Sequence, residues 1–413
     1  MTDYFYRLME DELPGPRDDR ERPGSPTKAI LILGARQTGK STLLRHWMNT
    51  AGRKTMIVNL QDRRERRRYE ADEGLLLREL EATDTIDTVV IDEIQKVPGL
   101  LDHVQYFYDR SPGRFQFVLT GSSARQLRRR SANLLPGRVH TLSLTPVLQA
   151  EQRSCAILPF RLPPSRDLFP ARDLHSLLLY GNLPGLYHET PESWKKTLAS
   201  YVDLYVENEI RQEHVVEDMG AFLRFLRLAA LEAGQSVNYT KLAGVVGVAV
   251  NTLRKFYRVL TNTHTGIQID AFGRSRKRVL QSPRFLIFDM GVRNLLTDLP
   301  VNDSLIRHDA GHLFEQWVMT ELAYRCRCHG RDYRLSTWQT ATGAEVDAVI
   351  ETPSEAIPVE IKWTESPSPR DARHLETFLD THADMAQRGY IVCRCPRTQQ
   401  ITDRVKALPW NEF

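Results

Sequence analysis

Short apolar runs alternate with longer polar, helix-like stretches between residues 29 and 144. Five runs have the length and composition of strands: Ala29 to Leu33, Thr55 to Asn59, Thr88 to Ile91, Phe115 to Thr120 and Val139 to Leu144. Apolar runs of this kind are typical of strands covered on both faces. We therefore expect at least the first four to be buried parallel strands separated by helices.

The middle of the chain has mainly helical periodicity. A Pro-rich connector, Leu158 to Pro170, precedes a stretch from Leu174 to Glu213 that is predicted to be helical throughout. Ala221 to Arg258 is predicted to form three short helices, and Ile267 to Phe288 a hairpin. A helix-turn-helix followed by a hairpin is the plan of a winged helix.

A glycine-rich pattern, G-x-x-x-x-G-K-[ST], is matched in full after the first strand and opens a helix, Thr42 to Met48. Its glycines let backbone N–H groups wrap phosphates, and the helix N-terminus adds a partial positive charge there. Lys40 is predicted to reach the β and γ phosphates of ATP, and the Ser41 hydroxyl to hold Mg²⁺. The predicted nucleotide-binding residues are Gly34, Ala35, Arg36, Gln37, Thr38, Gly39, Lys40, Ser41 and Thr42.

Two further strands end in residues suited to phosphate chemistry. Asp92 is placed to act on the Mg²⁺ shell, and Glu93 to orient or deprotonate the attacking water. Strand ends converge at the carboxyl edge of such sheets, so Ser122 or Thr120 is predicted to sense the γ-phosphate or the water. In both cases the alternative is that these residues only cap the next helix.

Four segments resemble a bacterial and archaeal AAA+ ATPase family whose C-terminal domain is of unknown function. They are GARQTGKSTLL, VVIDEIQKVPGLLDHVQYFYD, FVLTGSSARQL and LLPGRVHTLSLTPV, and they occur in the family's order. YGNLPGLY, YVDLYVENEI, FLIFDMGVRNLL and GHLFEQWVMTEL also resemble that family, so the resemblance runs from about Ala29 onward. YGNLPGLY departs from the family's Gly-Gly-Phe-Pro element because it keeps only one of the paired glycines.

The resemblance implies a ring, expected to be a homohexamer, in which a neighbouring subunit supplies an arginine to the transition state. Arg138 is the first candidate because it lies just before the predicted strand Val139 to Leu144. Arg125 and Arg128 to Arg130 are alternatives. Each of these arginines can instead be an ordinary surface residue.

The third helix of the predicted winged helix has an apolar face and a basic face at helical spacing. The basic face would enter a major groove, and the hairpin tip would lie on the DNA backbone. Phosphate-directed contacts predict low sequence specificity and strong salt dependence, with duplex or branched DNA as the partner. A protein-contact module is the alternative. The predicted DNA-binding residues are Asn251, Arg254, Lys255, Arg258, Arg274, Arg276, Lys277 and Arg278.

Acidic residues recur on predicted C-terminal elements: helix His312 to Cys328 and strands near Glu345 to Ile350 and Pro358 to Trp363. Glu360 and Lys362 share one side of a strand, where Asp347 can face them and Glu315 can join. This order resembles the restriction-endonuclease-like fold, in which carboxylates hold Mg²⁺ beside a lysine. An active nuclease, a nuclease-like fold kept for DNA binding or assembly, and a plain charged hairpin all stay open.

The composition is that of a soluble globular protein with two to four domains: 413 residues, 41% hydrophobic and 26% charged. No window approaches the roughly 18–20 apolar residues of a membrane span, and residues 1–27 lack the apolar core of a secretory signal. Five cysteines without metal-site spacing indicate reduced thiols and a cytoplasmic location. The net charge of +4 is mild, but arginines are dense at 63–68, 125–130 and 274–278. Such clusters suit phosphate-rich partners or form a solvated face.

The predicted fold class is α/β, an AAA+ P-loop parallel sheet with a helical lid, followed by a winged helix and a restriction-endonuclease-like α/β domain. The predicted domains are an N-terminal segment 1–28, ATPase core 29–148, lid 149–216, winged helix 217–288 and nuclease-like domain 289–413. The predicted function is ATP hydrolysis that remodels DNA in recombination, repair, mobile-element or defence processes. The alternatives are an ATP-gated Mg²⁺-dependent nuclease, a signalling NTPase that binds a protein partner, and a non-enzymatic DNA scaffold.

Overall fold

The computed structural model describes residues 4–15, 27–122, 137–162, 168–203, 218–273 and 281–413. Contacts divide the chain into two compact units. The first contains Met1–Thr145 with Asn262–His264, and the second contains Pro146–Thr261 with Thr265–Phe413. Among the helices in these ranges, every one is too short or too polar to span a lipid bilayer.

The first unit contains a five-stranded parallel sheet of order β2-β3-β4-β1-β5. Its strands are β1 (Ala29–Leu33), β2 (Thr55–Asn59), β3 (Thr88–Asp92), β4 (Gln116–Gly121) and β5 (Val139–Ser143). All five predicted strands are present, but the prediction that β2 is buried was wrong. It lies at the sheet edge, and Ile57 is 49% exposed.

Helices cover both faces of this sheet. Alternate residues of β1 enter two different apolar clusters, Leu31 one and Ile32 the other, because side chains alternate across a strand. The helices are α1 (Lys40–Thr50), α2 (Arg63–Ala71), α3 (Leu75–Glu81) and α4 (Leu100–Arg110), with short 3₁₀ helices at Leu8–Glu12 and Ile94–Lys96. The carboxyl ends of the strands therefore form one open edge, where β1 and β3 deliver the candidate site residues.

The second unit begins with helices. They are α5 (Leu174–Tyr180), α6 (Pro191–Tyr201), α7 (Met219–Leu231), α8 (Tyr239–Val246), α9 (Val250–Asn262), α10 (Met290–Leu296), α11 (Asp303–His329) and α12 (Arg373–Thr381), with 3₁₀ helices at Gln149–Glu151 and Pro184–His188. The three helices predicted between Ala221 and Arg258 are present. The prediction of continuous helix from Leu174 was wrong, because the chain turns at Gly181 (φ 67°).

An eight-stranded sheet of order β12-β13-β11-β10-β9-β8-β6-β7 completes the second unit. Its strands are β6 (Gly266–Ala271), β7 (Arg284–Ile287), β8 (Arg334–Gln339), β9 (Glu345–Glu351), β10 (Ala356–Ile361), β11 (Gly389–Cys393), β12 (Gln399–Gln400) and β13 (Val405–Pro409). The predicted hairpin is the antiparallel β6–β7 pair. Because β6 also pairs with β8, the regions predicted as winged helix and nuclease-like domain contribute strands to the same sheet.

The turn at Gly181 has a specific packing reason. A Cβ at this position would lie 2.3 Å from both carboxylate oxygens of Asp289. Asp289 caps α10 by accepting from Val292 N–H at 3.1 Å, and it also accepts from Asn182 N–H at 2.7 Å. The YGNLPGLY and FLIFDMGVRNLL segments of the sequence therefore contact each other in the interior of the second unit, through Gly181 and Asn182 on one side and Asp289 on the other.

Candidate nucleotide-binding site

The glycine-rich loop joins β1 to α1 and has two positions where glycine is required. Gly39, which precedes α1, has a left-handed φ of 92°. A Cβ on Gly34 would lie 2.3 Å from the Leu144 carbonyl oxygen. The Lys40 ammonium donates to the carbonyls of Gly34 at 2.9 Å and Ala35 at 2.8 Å. The structure thus has the strand–loop–helix arrangement that the pattern predicts, with the Lys40 ammonium held against the loop.

The other predicted phosphate-binding residues lie in the same turn. Thr38 is buried and its hydroxyl donates to the Ala35 carbonyl at 2.9 Å, which fixes the loop from inside. Gln37 has a φ of 60° and is exposed, as is Thr42, whereas Arg36 is half-buried. The loop therefore combines a buried anchor with side chains directed outward.

Ser41 and Asp92 meet beside the loop, as expected for ligands of one metal ion. The Ser41 hydroxyl donates to Asp92 Oδ2 at 3.0 Å, and the Thr120 hydroxyl donates to Asp92 Oδ1. A hydroxyl and a carboxylate are the hard oxygen donors that Mg²⁺ prefers. This pair fits the ion that the sequence implies.

Glu93 follows Asp92 in a strained backbone conformation. Its φ of 62° and ψ of 47° lie in the left-handed region, which costs a non-glycine residue on the order of 1–3 kcal/mol. Its N–H donates to the Thr120 hydroxyl at 3.0 Å, and its side chain is buried. The Thr120 hydroxyl therefore ties the two adjacent acidic residues together and offsets part of the strain.

Gln95 is a site residue that the sequence reasoning missed. Its side-chain amide donates to Glu93 Oε2 and to the Ser122 hydroxyl, the latter at 3.0 Å. Ser122 itself donates to Glu93 Oε2 at 3.3 Å. A Cβ on Gly121 would lie 2.8 Å from Gln95 Oε1, so this glycine makes room for the amide. Ser122, predicted to act at this site, does lie beside Glu93.

Arg7 is a second missed residue, and it comes from the N-terminal segment. It is buried, and its guanidinium donates to the Thr38 carbonyl at 2.8 Å and to the Thr145 carbonyl at 2.7 Å. It thereby connects the glycine-rich loop to the chain that follows β5. An isolated arginine before the first strand carries no pattern that points to such a role.

Arg138, predicted as a trans-acting arginine, lies at the amino-terminal edge of the sheet. It donates to Asp109 from Nε at 2.9 Å and from an Nη atom at 3.3 Å, and its guanidinium also lies over the Tyr108 ring. The glycine-rich loop leaves the carboxyl end of β1, on the opposite edge. The structure thus gives Arg138 a partner in its own chain, and the trans-acting role stays a prediction. Arg125 and Arg128 to Arg130 lie outside the described residues.

The predicted basic face of α9 is present. Asn251, Arg254, Lys255 and Arg258 are exposed, whereas Leu253 and its apolar neighbours are buried. The Arg254 guanidinium lies 4.3 Å from the centroid of the Tyr239 ring on α8. The predicted hairpin-tip residues Arg274, Arg276, Lys277 and Arg278 lie outside the described residues.

The four predicted C-terminal site residues are brought together. Antiparallel pairing of Val359 with Ala348 places Glu360 beside Asp347 as the register continues. Lys362 Nζ lies 2.6 Å from Glu360 Oε1, and the Ile361 N–H donates to Asp347 Oδ2 at 2.8 Å. The sequence predicted that Asp347 can face Glu360 and Lys362 from a neighbouring strand, and the pairing of β9 with β10 places it there.

Two arginine contacts and burial modify this acidic cluster. Arg284 on β7 forms ion pairs with Glu315 at 2.7 Å and with Glu345. Burial raises the pKa values of Glu315 and Glu360, and the charge of Asp347 raises both further. Over the described ranges, no group of three or more His, Cys, Asp and Glu residues is arranged to hold a metal ion. Mg²⁺ binding at this cluster therefore stays a prediction.

Comparison with known proteins identifies an AAA domain in the first part of the chain and two domains of unknown function in the rest. Residues 26–152 match a family model described as an AAA domain. Residues 171–303 and 310–413 match two models described as domains of unknown function, DUF8612 and DUF4143. Uncharacterized proteins from Mycobacterium bovis and Mycobacterium tuberculosis are each 27% identical over 345 residues, which is 82% of this chain and 71% of each relative.

Solved structures of the replication initiator DnaA also match part of the chain. AMPPCP-bound DnaA from Aquifex aeolicus is 13% identical with a TM-score of 0.27, over 59% of this chain and 88% of that one. DnaA bound to AMPPCP and single-stranded DNA is 14% identical with a TM-score of 0.28, over 58% and 84%. The chain thus carries an AAA-type ATPase domain, which rests on the family match and on the geometry of the loop.

Proposed function

We propose that this protein hydrolyses ATP and uses the energy to bind and remodel duplex or branched DNA with low sequence specificity. One observation carries the ATPase part of the proposal. The glycine-rich loop with Lys40 and Ser41, the carboxylates of Asp92 and Glu93, and the Ser122 hydroxyl lie at one edge of a parallel sheet. The AAA domain match over residues 26–152 supports the same reading.

In this proposal the loop and the first turn of α1 bind the phosphates. Backbone N–H groups of the loop would donate to the phosphate oxygens, and the N-terminus of α1 would add positive charge. Lys40 exchanges its bonds to the Gly34 and Ala35 carbonyls for bonds to the β and γ phosphates. Mg²⁺, held through Ser41 and Asp92, would neutralise charge that develops on the transferred phosphoryl group.

Glu93 is the proposed base that orients the attacking water and accepts its proton. Gln95 and Ser122 donate to its carboxylate, and Thr120 accepts from its backbone N–H. These three contacts fix where the carboxylate points. A base whose position is set before the substrate arrives needs less reorganisation in the transition state.

DNA binding is assigned in the proposal to the exposed basic face of α9, with residues Asn251, Arg254, Lys255 and Arg258. The predicted hairpin-tip residues Arg274, Arg276, Lys277 and Arg278, which lie outside the described residues, are also proposed to contact DNA. Exposed basic side chains suit phosphate contacts, which carry little sequence information. A homohexameric ring completes the proposal, because such rings use an arginine from a neighbouring subunit.

The test is ATP turnover by the full chain with no DNA, duplex, single-stranded and four-way-junction DNA, with the DNA from each reaction run on a gel. Stimulated turnover with intact DNA supports the proposal. Turnover that no DNA changes, together with no DNA binding, contradicts the DNA part and favours a signalling NTPase. Arg254→Gln with Arg258→Gln is expected to weaken binding and lower its salt dependence.

A nuclease gated by ATP is the second candidate, and the juxtaposition of Asp347, Glu360 and Lys362 favours it. Two adjacent carboxylates beside a lysine can position Mg²⁺ and a water molecule against a phosphodiester. Mg²⁺-dependent cutting in the same reactions, abolished by Asp347→Ala and unchanged in the control Asp403→Ala at an exposed position, would support it. DNA that stays intact under all of these conditions would contradict it.

A further inference from the structure

Helix α2 carries five arginines within nine residues, in the sequence RRERRRYEA. Only Tyr69 of this helix is buried. Its hydroxyl donates to Glu79 at 2.7 Å, which anchors the helix to α3. Burial, followed by the hydrogen bond to Glu79, raises the pKa of Tyr69, so this anchor stays protonated. One side of α2 is therefore fixed to the fold and the rest is presented outward.

Two of the arginines have partners within the fold. Arg66 lies 3.6 Å from Glu70, and Arg68 lies 2.8 Å from Glu79. Arg63, Arg64 and Arg67 are exposed, and no carboxylate in the described ranges forms an ion pair with them. Positions i, i+1 and i+4 lie within one arc of a helix, so these three residues form a single surface. We refer to it as the α2 arginine face.

This surface is unfavourable for the helix itself. Arg63 and Arg64 occupy the first turn, where the helix dipole disfavours positive charge. Arg63 and Arg67 form a like-charged i,i+4 pair, which costs a few tenths of a kcal/mol. Asp62 caps the helix by accepting from Arg64 N–H at 2.7 Å, and this cap stabilises the helix despite the arginines. Nothing in the folding of the helix therefore requires the α2 arginine face.

The face is connected directly to the candidate nucleotide site. Asn59 at the end of β2 pairs with Asp92 in the sheet register, and Leu60 N–H donates to the Asp92 carbonyl at 3.1 Å. Asn59 N–H in turn donates to Glu65 on α2 at 2.8 Å. Burial lowers the pKa of Lys96 on the 3₁₀ helix that follows Glu93; the charge of Glu93 raises it, and the charges of Arg66 on α2 and Arg36 in the glycine-rich loop lower it. Lys96 therefore lies within electrostatic reach of both α2 and the glycine-rich loop.

We propose that the α2 arginine face, formed by Arg63, Arg64 and Arg67, binds the phosphate backbone of DNA and links DNA contact to the nucleotide site. The inference rests on the proposed function in taking DNA as the partner. Exposed guanidinium groups match phosphate geometry, and no aromatic side chain is exposed on α2 to stack on bases. An anion bound by these arginines contacts α2. The first turn of α2 is hydrogen-bonded through Glu65 to Asn59 of β2, which pairs with Asp92 of β3.

The test compares the wild-type chain with the triple variant Arg63→Gln, Arg64→Gln and Arg67→Gln. Glutamine retains helix propensity and removes the positively charged guanidinium group. The matched control replaces three exposed arginines of the second unit, Arg331→Gln, Arg370→Gln and Arg397→Gln, with the same change in net charge. The probes are a fluorescent single-stranded oligonucleotide, the corresponding duplex, and polyglutamate, over a range of salt concentrations.

The α2 variant is expected to lose affinity for one of the two DNA probes by roughly tenfold or more and to lower the salt slope by about 2–3. Its Tm is expected to stay level or rise, because unfavourable charges are removed. Wild-type affinity and slope in this variant would overturn the inference and leave the proposed function standing. An equal loss of DNA affinity in the control variant would also overturn the inference, because the loss would then follow from net charge and not from the α2 arginine face.

Two further results also decide the matter. A wild-type chain that binds neither DNA probe would overturn both the inference and the DNA part of the proposed function. If that chain instead bound polyglutamate, and the α2 variant did not, the face would be assigned to an acidic protein partner.

Discussion

The Ser41 hydroxyl donates a hydrogen bond to the Asp92 carboxylate at 3.0 Å, although the two residues are 51 positions apart in the chain. Ser41 is the second residue of α1, and Asp92 ends β3, which is separated from β1 in the sheet by β4. The contact exists because parallel strands deliver their carboxyl ends to one edge. It is the geometric basis for the proposal that this site binds ATP and Mg²⁺.

Thr120 is expected to matter for turnover more than for nucleotide binding. Thr120→Val removes the hydroxyl that donates to Asp92 and accepts from Glu93 N–H, and leaves that buried N–H unpaired at a cost of about 1–3 kcal/mol. We expect kcat to fall roughly tenfold to a hundredfold, with nucleotide affinity changed only slightly. Thr120→Ser keeps the hydroxyl and is expected to retain most of the turnover. Equal turnover in the valine variant and the wild type would remove Thr120 from the site.

Gln95 is expected to position Glu93 through a charge-assisted hydrogen bond. Gln95→Ala removes the amide that donates to Glu93 and Ser122, so a bond worth about 1.5–3 kcal/mol is lost. The prediction is a fall in kcat of roughly ten to a hundredfold with KM little changed. A steady-state ATPase assay separates the two constants. A change confined to KM would show that Gln95 acts on binding instead of on Glu93.

Arg7 is expected to support nucleotide binding from outside the segment that matches the AAA domain. Arg7→Ala leaves the buried carbonyls of Thr38 and Thr145 without this donor, so we expect a lower Tm and weaker binding of a fluorescent ATP analogue. Arg7→Lys, which can satisfy one carbonyl, is expected to be intermediate. Arg53→Ala, at an exposed contact with the Gly15 carbonyl, serves as the control and should bind normally. Normal binding by Arg7→Ala would show that the loop needs no such support.

Asp289 is expected to make stability depend on pH. Burial raises the pKa of this fully buried carboxyl from 3.8 to about 6, so the folded state holds its proton more tightly than the unfolded state. Its contribution is therefore present below pH 4 and is lost as pH rises towards 6, by ~3 kcal/mol. Urea unfolding at several pH values should show the wild-type chain losing stability relative to Asp289→Asn over this window. A difference that does not vary with pH would contradict the assignment.

The parallel sheet and the glycine-rich loop could be predicted because their signals are local. A run such as Ala29 to Leu33 is buried on both faces, and the loop residues needed for phosphate binding are contiguous. The exposure of β2 could not be predicted in the same way, because a strand at the sheet edge and a central strand have similar composition. The order of strands in the sheet decides which of them is covered.

Other parts of the site depend on contacts that no local pattern records. Gln95 donates to Glu93, whose backbone adopts a left-handed conformation, at a place where Gly121 leaves space for the amide. The pairing of β6 with β8 joins strands distant in sequence, so the hairpin appeared to belong to a separate module. Gly181 lies inside a segment that the sequence predicts to be helical. The turn there depends on packing against Asp289, which is 108 positions away and leaves no local signal.

Glu93→Gln, measured beside Lys40→Ala and the wild type, tests the central claim most directly. Nucleotide affinity and ATP turnover are measured on the same preparations, with the Tm of each variant as a control for folding. We expect Glu93→Gln to bind ATP as the wild type does and to lose turnover by roughly a hundredfold or more, because the amide cannot accept the proton of water. Lys40→Ala is expected to lose binding. Wild-type turnover in Glu93→Gln, or tight ATP binding by Lys40→Ala, would contradict the assignment of this site.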